Sequence, residues 1–330
     1  MGFLSALSLR DLVAAGIHAF RDSDTFAVAA TTALAALFVW YCYRVGREQQ
    51  QRARARNPVA TRPDALPDGS GPFSNSRLYR NLQEYAKRYS WSGMGRIHKA
   101  IRNNPAAAFR NTPSIQNPGV FFLQDLPTSP YFPREAQKHD VELLERNFQT
   151  ILAEFEGLPY LNDNEYSHPH YNNPPPGWKV KATPTGEHVT FDLVSRGLVV
   201  GRNCRHCPKT YRLLSGLRTC MATGNVFGNA RFCVLRPGTT TEERYGPSNI
   251  RLRCHLGLKT PSNCELVVGG EPQCWAQGRC LLFDDSFLHT ARHAGPVEEG
   301  PRVVFLVDLW HPNVAAAERQ ALDFIFAPGR

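Results

Sequence analysis

From about residue 189 onward, apolar and polar positions alternate with a period of two, and Gly and Pro break the pattern about every 8–12 residues. That pattern predicts an antiparallel sandwich or barrel. RLRCHLG (251–257) places Leu252, Cys254 and Leu256 on one face and Arg251, Arg253 and His255 on the other. CELVVGGEPQCW predicts a strand, a Gly-Gly turn and a second strand, and RCLLFDD predicts another. In RVVFLVDLW (302–310), Arg302, Val304 and Leu306 lie opposite Val303, Phe305 and Val307. Upstream the period lengthens. Leu78, Leu82, Tyr85 and Tyr89 recur at helical spacing within 77–103. VELLERNFQTILAEF (141–155) predicts a second amphipathic helix, whose stripe of Leu144, Phe148, Ile151, Leu152 and Phe155 belongs in a core. Residues 104–140 are expected to be extended and 156–188 loop-like.

The apolar run TFAVAATTALAALFVWYCY (25–43) is uncharged. At about 1.5 Å per residue it is just long enough for a bilayer core, with Trp40, Tyr41 and Tyr43 at one end as an interfacial belt. The Arg-rich sequence after it lacks a small-residue cleavage site, so a single-pass anchor is expected rather than a removed signal peptide. The predicted organisation is an N-terminal tail (1–24), the anchor (25–43), a Pro-, Gly- and Arg-rich tether (44–76), a helical and extended segment (77–140) and a β domain (141–330). Arg44, Arg47, Arg52, Arg54 and Arg56 follow the span, which by charge alone puts the C-terminal domain in the cytosol.

Composition changes the picture less. The formal net charge is +9, but the cations are scattered, and no RNA-binding aromatic motif or zinc-finger spacing occurs, so no nucleic-acid partner is expected. Of the nine cysteines, Cys42 falls in the apolar run. The other eight permit disulfides without requiring them. Cys204 and Cys207 form a lone CxxC with no second ligand pair, which is best taken as a loop.

Candidate chemistry lies on the polar faces. Arg253 and His255 share one strand face, His289 ends the loop after LLFDD, and Arg302 starts another strand. A sheet curled into a barrel could bring them together. Imidazoles beside open positions suit Fe(II), and a guanidinium in an apolar barrel needs an anion such as a carboxylate. The bland alternative makes Asp284 and Asp285 turn residues, His289 a rim histidine, and Arg251 and Arg253 a solvated face.

YGPSNIRLRCHLGL, ELVVGGEPQCWAQGRCLLFDDSFLH and GPRVVFLVDLWHP resemble the aspartyl/asparaginyl β-hydroxylase family. The resemblance implies a mainly β fold, a double-stranded β-helix (jelly roll) preceded by short helices and a single N-terminal transmembrane helix. It also implies Fe(II), with 2-oxoglutarate as co-substrate, and hydroxylation of a side chain in a protein or peptide substrate. His289 matches the second of the family's two iron-ligating histidines. Arg253, His255 and Arg302 match its 2-oxoglutarate contacts, and Asn249 its turn asparagine. Three positions differ: Arg244 stands where the family has its first iron-ligating histidine, Cys233 replaces a co-substrate serine, and His188 replaces a tryptophan. Either His255 or His188 turns to the metal beside His289, or the fold has become an anion-binding pseudoenzyme or a scaffold. The resemblance also implies an endoplasmic-reticulum lumenal domain, against the charge rule.

Overall fold

The computed structural model describes residues 73–102, 114–158, 174 and 176–329. The chain divides into two compact units, Met1–Ala60 and Thr61–Arg330, and every described residue belongs to the second. The expected anchor at 25–43 lies outside the described residues. Among those described, no helix is long and apolar enough to cross a membrane.

The region is mainly β, and every strand pairing is antiparallel. Among the described residues eleven strands form: β1 (Tyr131–Phe132), β2 (Trp178–Thr183), β3 (Gly186–Ser195), β4 (Leu198–Val199), β5 (Ala230–Leu235), β6 (Arg251–Lys259), β7 (Cys264–Val268), β8 (Glu271–Cys274), β9 (Cys280–Phe283), β10 (His289–His293) and β11 (Arg302–Trp310). The large sheet runs β1-β9-β6-β11-β5-β3-β2, with β4 beside β3. The small sheet runs β10-β7-β8. Its free edge at β10 is met by the segment before β6, through bridges Thr240↔Arg292 and Arg244↔His289. From β5 on, the chain passes between the two sheets as a jelly roll does.

The period of two sets which residues face which layer. Val303, Phe305 and Val307 of β11 join Phe232 and Leu256 in the outer core. Val304 and Leu306 turn the other way, into the core between the sheets with Phe283, Leu266 and Val268. Every residue of β11 is buried because both its faces are covered. The Gly-Gly turn of the β7–β8 hairpin has φ of 62° at Gly269 and 89° at Gly270, a conformation that costs side-chain-bearing residues energy.

Helices cover the outer face and one end. They are α1 (Asn75–Arg88), α2 (Gly95–Arg102), α3 (Lys138–Arg146), α4 (Phe148–Glu156), α5 (Gly201–Cys204), α6 (Pro208–Leu214) and α7 (Ala316–Ile325). The helix expected over 141–155 is two helices broken at Asn147, whose side-chain amide donates to Leu143 O (2.8 Å) in competition with its own backbone N–H, which is left 3.3 Å from the same carbonyl. Leu144, Ile151 and Phe155 of its stripe are buried against the large sheet. The expected helix over 77–103 likewise breaks, near Gly93 (φ 77°), so Tyr89 at the end of α1 is exposed. The loop expected over 156–188 contains β2 and the start of β3. That hairpin extends the large sheet and places His188 on it.

Candidate functional site

The polar face of β6 points between the sheets, not to water. Arg251 is 2% exposed, which excludes a solvated arginine face. A buried guanidinium needs a carboxylate. Arg251 donates through Nε and Nη2 to Asp285 (3.2 and 2.5 Å) and through Nη1 to Asp308 (3.2 Å) and the Phe227 carbonyl. Arg253 pairs with Asp308 through Nε (3.0 Å) and with Asp285 through Nη1 (3.2 Å). Burial works against the Asp285 charge, but Arg251 and Arg253 hold its carboxyl well below the usual range. The same acids raise Arg253 against its own burial. The Arg253 guanidinium is thus committed to two carboxylates. Asp284 and Asp285 divide their roles. Asp284 makes the turn, accepting Ser286 N–H (2.8 Å) and the Gln116 amide (2.6 Å), and Asp285 closes the ion cluster.

Arg302 is the opposite case. It is also 2% exposed, yet its Nε and Nη1 have no hydrogen-bond partner among the described residues. Its guanidinium carbon lies 4.4 Å from the centre of the Trp275 ring, a cation–π contact that offsets only part of the lost hydration. Burial depresses its pKa to about 10, so it stays charged at neutral pH.

Trp275 also fixes His255. The indole Nε1–H can only donate, so His255 Nδ1 (3.2 Å away) accepts, and the proton of the neutral ring sits on Nε2. Burial, then the Arg302 and Arg253 charges, hold the ring neutral. Nε2–H is buried without a partner. Around Trp275, three buried donor atoms therefore lack acceptors among the described residues: Arg302 Nε, Arg302 Nη1 and His255 Nε2. Such a set matches a carboxylate. It does not leave His255 a lone pair for a metal, so the expectation that His255 could turn to iron is corrected.

His289 has the complementary tautomer. Its Nδ1 faces the Phe287 carbonyl (3.1 Å), which can only accept, so Nδ1 carries the proton. Nε2 then presents a lone pair, buried and without a partner. Burial and the Arg244 charge lower its pKa to about 4, keeping the lone pair free at neutral pH. His255 and His289 pack on the same Phe283 ring, with centroids at 4.9 and 6.1 Å.

Arg244 stands directly opposite His289. The two exchange both backbone hydrogen bonds (3.1 and 2.9 Å), the pairing that puts their side chains on one face. Both line a cavity of about 330 Å³, together with Lys179, Asp192, Arg231 and Tyr245. A guanidinium is all donor and always charged, so it supplies no ligand and repels a cation. Among the described residues no three His, Cys, Asp or Glu side chains converge to hold a metal. His289 fits an iron ligand; the set as a whole does not fit a two-histidine iron site.

Burial, then the charges of Arg244 and Arg302, hold His188 neutral. Cys233 faces the inter-sheet core and is buried. Asn249 exchanges two hydrogen bonds of 2.8 Å with the Leu123 backbone and holds the chain before β1 to the turn before β6. All eight described cysteines are unpaired, and Cys204 and Cys207 are buried at the junction of α5 and α6. Sequence reasoning missed Trp275 and Asp308, and it read Asp285 as a turn residue where the structure makes it an ion-pair partner. Trp275 sits in the motif ELVVGGEPQCW, but nothing in its spacing ties it to residues 255 and 302.

The sequence profile described as aspartyl/asparaginyl beta-hydroxylase matches residues 145–312. The rat aspartate beta-hydroxylase domain-containing protein 2 is 63% identical, over 98% of this chain and 96% of its own length. The mouse aspartyl/asparaginyl beta-hydroxylase is 28% identical, over 79% of this chain and 33% of its own. Among solved structures, a 2OG-Fe(II) oxygenase family oxidoreductase from Burkholderia pseudomallei matches with a TM-score of 0.30 at 14% identity, covering 41% of this chain and 73% of that one.

Proposed function

The chain belongs to the aspartyl/asparaginyl β-hydroxylase family, and we propose that it is a membrane-anchored 2-oxoglutarate-binding protein on the Fe(II)/2-oxoglutarate dioxygenase plan. In this reading Arg302 and His255 hold one carboxylate of 2-oxoglutarate, and Trp275 positions both. The carrying observation is Arg302, a fully buried guanidinium whose Nε and Nη1 lack partners. Folding leaves it uncompensated at considerable cost, which a carboxylate ligand would offset. Arg253 acts one step back, because Asp285 and Asp308 occupy it.

The activity of this plan is hydroxylation of a protein side chain: iron held at His289 would supply the oxygen chemistry, and Arg302 and His255 would hold the 2-oxoglutarate consumed with it. Arg244 is the reason to expect that activity to be weak or lost here. A second reading, a working dioxygenase, is favoured by one observation: the unpartnered lone pair of His289 Nε2. In that reading His289 is the protein's iron ligand and the substrate is a protein or peptide.

The apolar run at 25–43 supports a single-pass anchor, and the family likeness supports a lumenal domain in the endoplasmic reticulum. Protease treatment of sealed microsomes tests the orientation: a protected C-terminal domain agrees, and digestion without detergent contradicts it.

The binding test is thermal. A ligand that binds only the folded state stabilises it by RT ln(1 + [L]/Kd). 2-Oxoglutarate is expected to raise the Tm of the full chain in detergent and to leave Arg302→Met unmoved. An equal rise in both would remove Arg302 from the site and this reading with it.

A further inference from the structure

The inner face holds more cations than its carboxylates can serve. Asp285 is taken by Arg251 and Arg253, and Asp308 by the same two arginines. Asp192 is taken by Lys179 (2.6 Å) and Arg231 (3.1 Å). Two guanidiniums are left over. One is Arg302, on the Trp275 ring. The other is the half-buried Arg244, whose side chain makes no hydrogen bond or ion pair among the described residues. Trp275 ties Arg302 to His255, His255 and His289 share the Phe283 ring, and His289 pairs with Arg244, so the two guanidiniums bracket one inter-sheet pocket beside Phe283.

We propose that this pocket binds five-carbon dicarboxylates without a metal, with the Arg244 guanidinium receiving the carboxylate end that faces His289 and Arg302 receiving the other. The proposal rests on the 2-oxoglutarate reading above and specifies how the ligand is held. Arg244 shares a hydrogen-bonded backbone pair with His289, and both side chains line the same cavity. A fixed cation there does what a metal would do for charge, but it differs in chemistry. A metal rewards a chelating 2-oxo oxygen; a guanidinium asks only for the carboxylate, which it can meet with two parallel N–H bonds.

The lone pair of His289 sharpens the specificity. With no metal to receive it, it faces a 2-oxo oxygen as acceptor against acceptor, whereas a 2-hydroxyl group can donate to it. The 2-oxo group is therefore dispensable, and 2-hydroxyglutarate fits at least as well as 2-oxoglutarate. A monocarboxylate of the same length satisfies only one guanidinium.

The test is equilibrium dialysis of the full chain in detergent, in EDTA and again with Mn(II). The probes are 2-oxoglutarate, glutarate, 2-hydroxyglutarate and 2-oxopentanoate. The expected result in EDTA is that the three dicarboxylates bind within about fivefold of one another and 2-oxopentanoate at least about tenfold more weakly, with no tightening by Mn(II). Arg244→Met is expected to weaken all three dicarboxylates at least about tenfold, and Arg244→His to make 2-oxoglutarate binding depend on Mn(II). Binding of 2-oxoglutarate only with Mn(II), with glutarate excluded, would overturn this proposal and leave the 2-oxoglutarate reading standing. No binding of any dicarboxylate in either condition would overturn both. The ligand series on the unmodified chain decides the matter even if an Arg244 variant does not fold.

Discussion

Two buried imidazoles on one phenylalanine ring behave oppositely because of one hydrogen bond each. Trp275 makes His255 a donor, and the Phe287 carbonyl makes His289 an acceptor. The sequence shows both histidines but neither tautomer, since the tautomer is set by partners 20 residues away in one case and two in the other. Asp284 carries a prediction at this scale. Burial pushes its carboxyl up to about 7, against the hydrogen bonds from Ser286 and Gln116. The folded state therefore holds a proton that the unfolded chain, with an ordinary value near ~4, releases first. The stability this group contributes is present below about pH 4 and is lost as pH rises to about 7, by on the order of 3–4 kcal/mol. Asp284→Asn, which stays neutral, is expected to gain in Tm relative to the unmodified chain between pH 5 and pH 8. A constant difference across that range would place the Asp284 carboxyl at an ordinary pKa.

At the scale of elements, the site depends on how tightly the turn before β6 meets the loop after β9. Gly246 N donates to Asp285 O (2.5 Å), and a Cβ at Gly246 would stand 2.5 Å from the Asp285 carboxylate carbon. Gly246→Ala must therefore push Asp285 away from Arg251 and Arg253. Partial loss of that buried cluster is expected to cost about 3 kcal/mol or more, measured by chemical denaturation. Asp285→Asn is expected to cost a similar amount, because it leaves two buried guanidiniums to share Asp308. A loss under about 0.5 kcal/mol in both would show the cluster to be dispensable. The strands themselves were legible. β6, β7, β8, β9 and β11 fall where alternation and the Gly-Gly turn put them, because a one-residue slip would move Arg302 and Val304 to the helix-covered face. The breaks at Asn147 and near Gly93 were not, since the apolar stripe runs on past both. β2 was hidden as well: Lys179 and Lys181 alternate with Val180 on a strand half-open to water, in a stretch crowded with proline.

At the scale of the molecule, pattern and resemblance led to the same mainly β fold, and His255, His289 and Arg302 all lie on the inter-sheet side. What no pattern in the chain reveals is charge balance. Whether Arg253 is free or bound to Asp308 depends on a pairing 55 residues apart, and only the folded sheet shows that Arg302 and Arg244 are the ones left over. As proposed, the domain is a 2-oxoglutarate pocket in which Arg244 stands where the family has an iron ligand. Succinate formation from 2-oxoglutarate, measured with added Fe(II) on the full chain and on Arg244→His side by side, tests this most directly. The unmodified chain is expected to give no succinate above background, and Arg244→His to restore turnover. Turnover in the unmodified chain at the level of Arg244→His would contradict it.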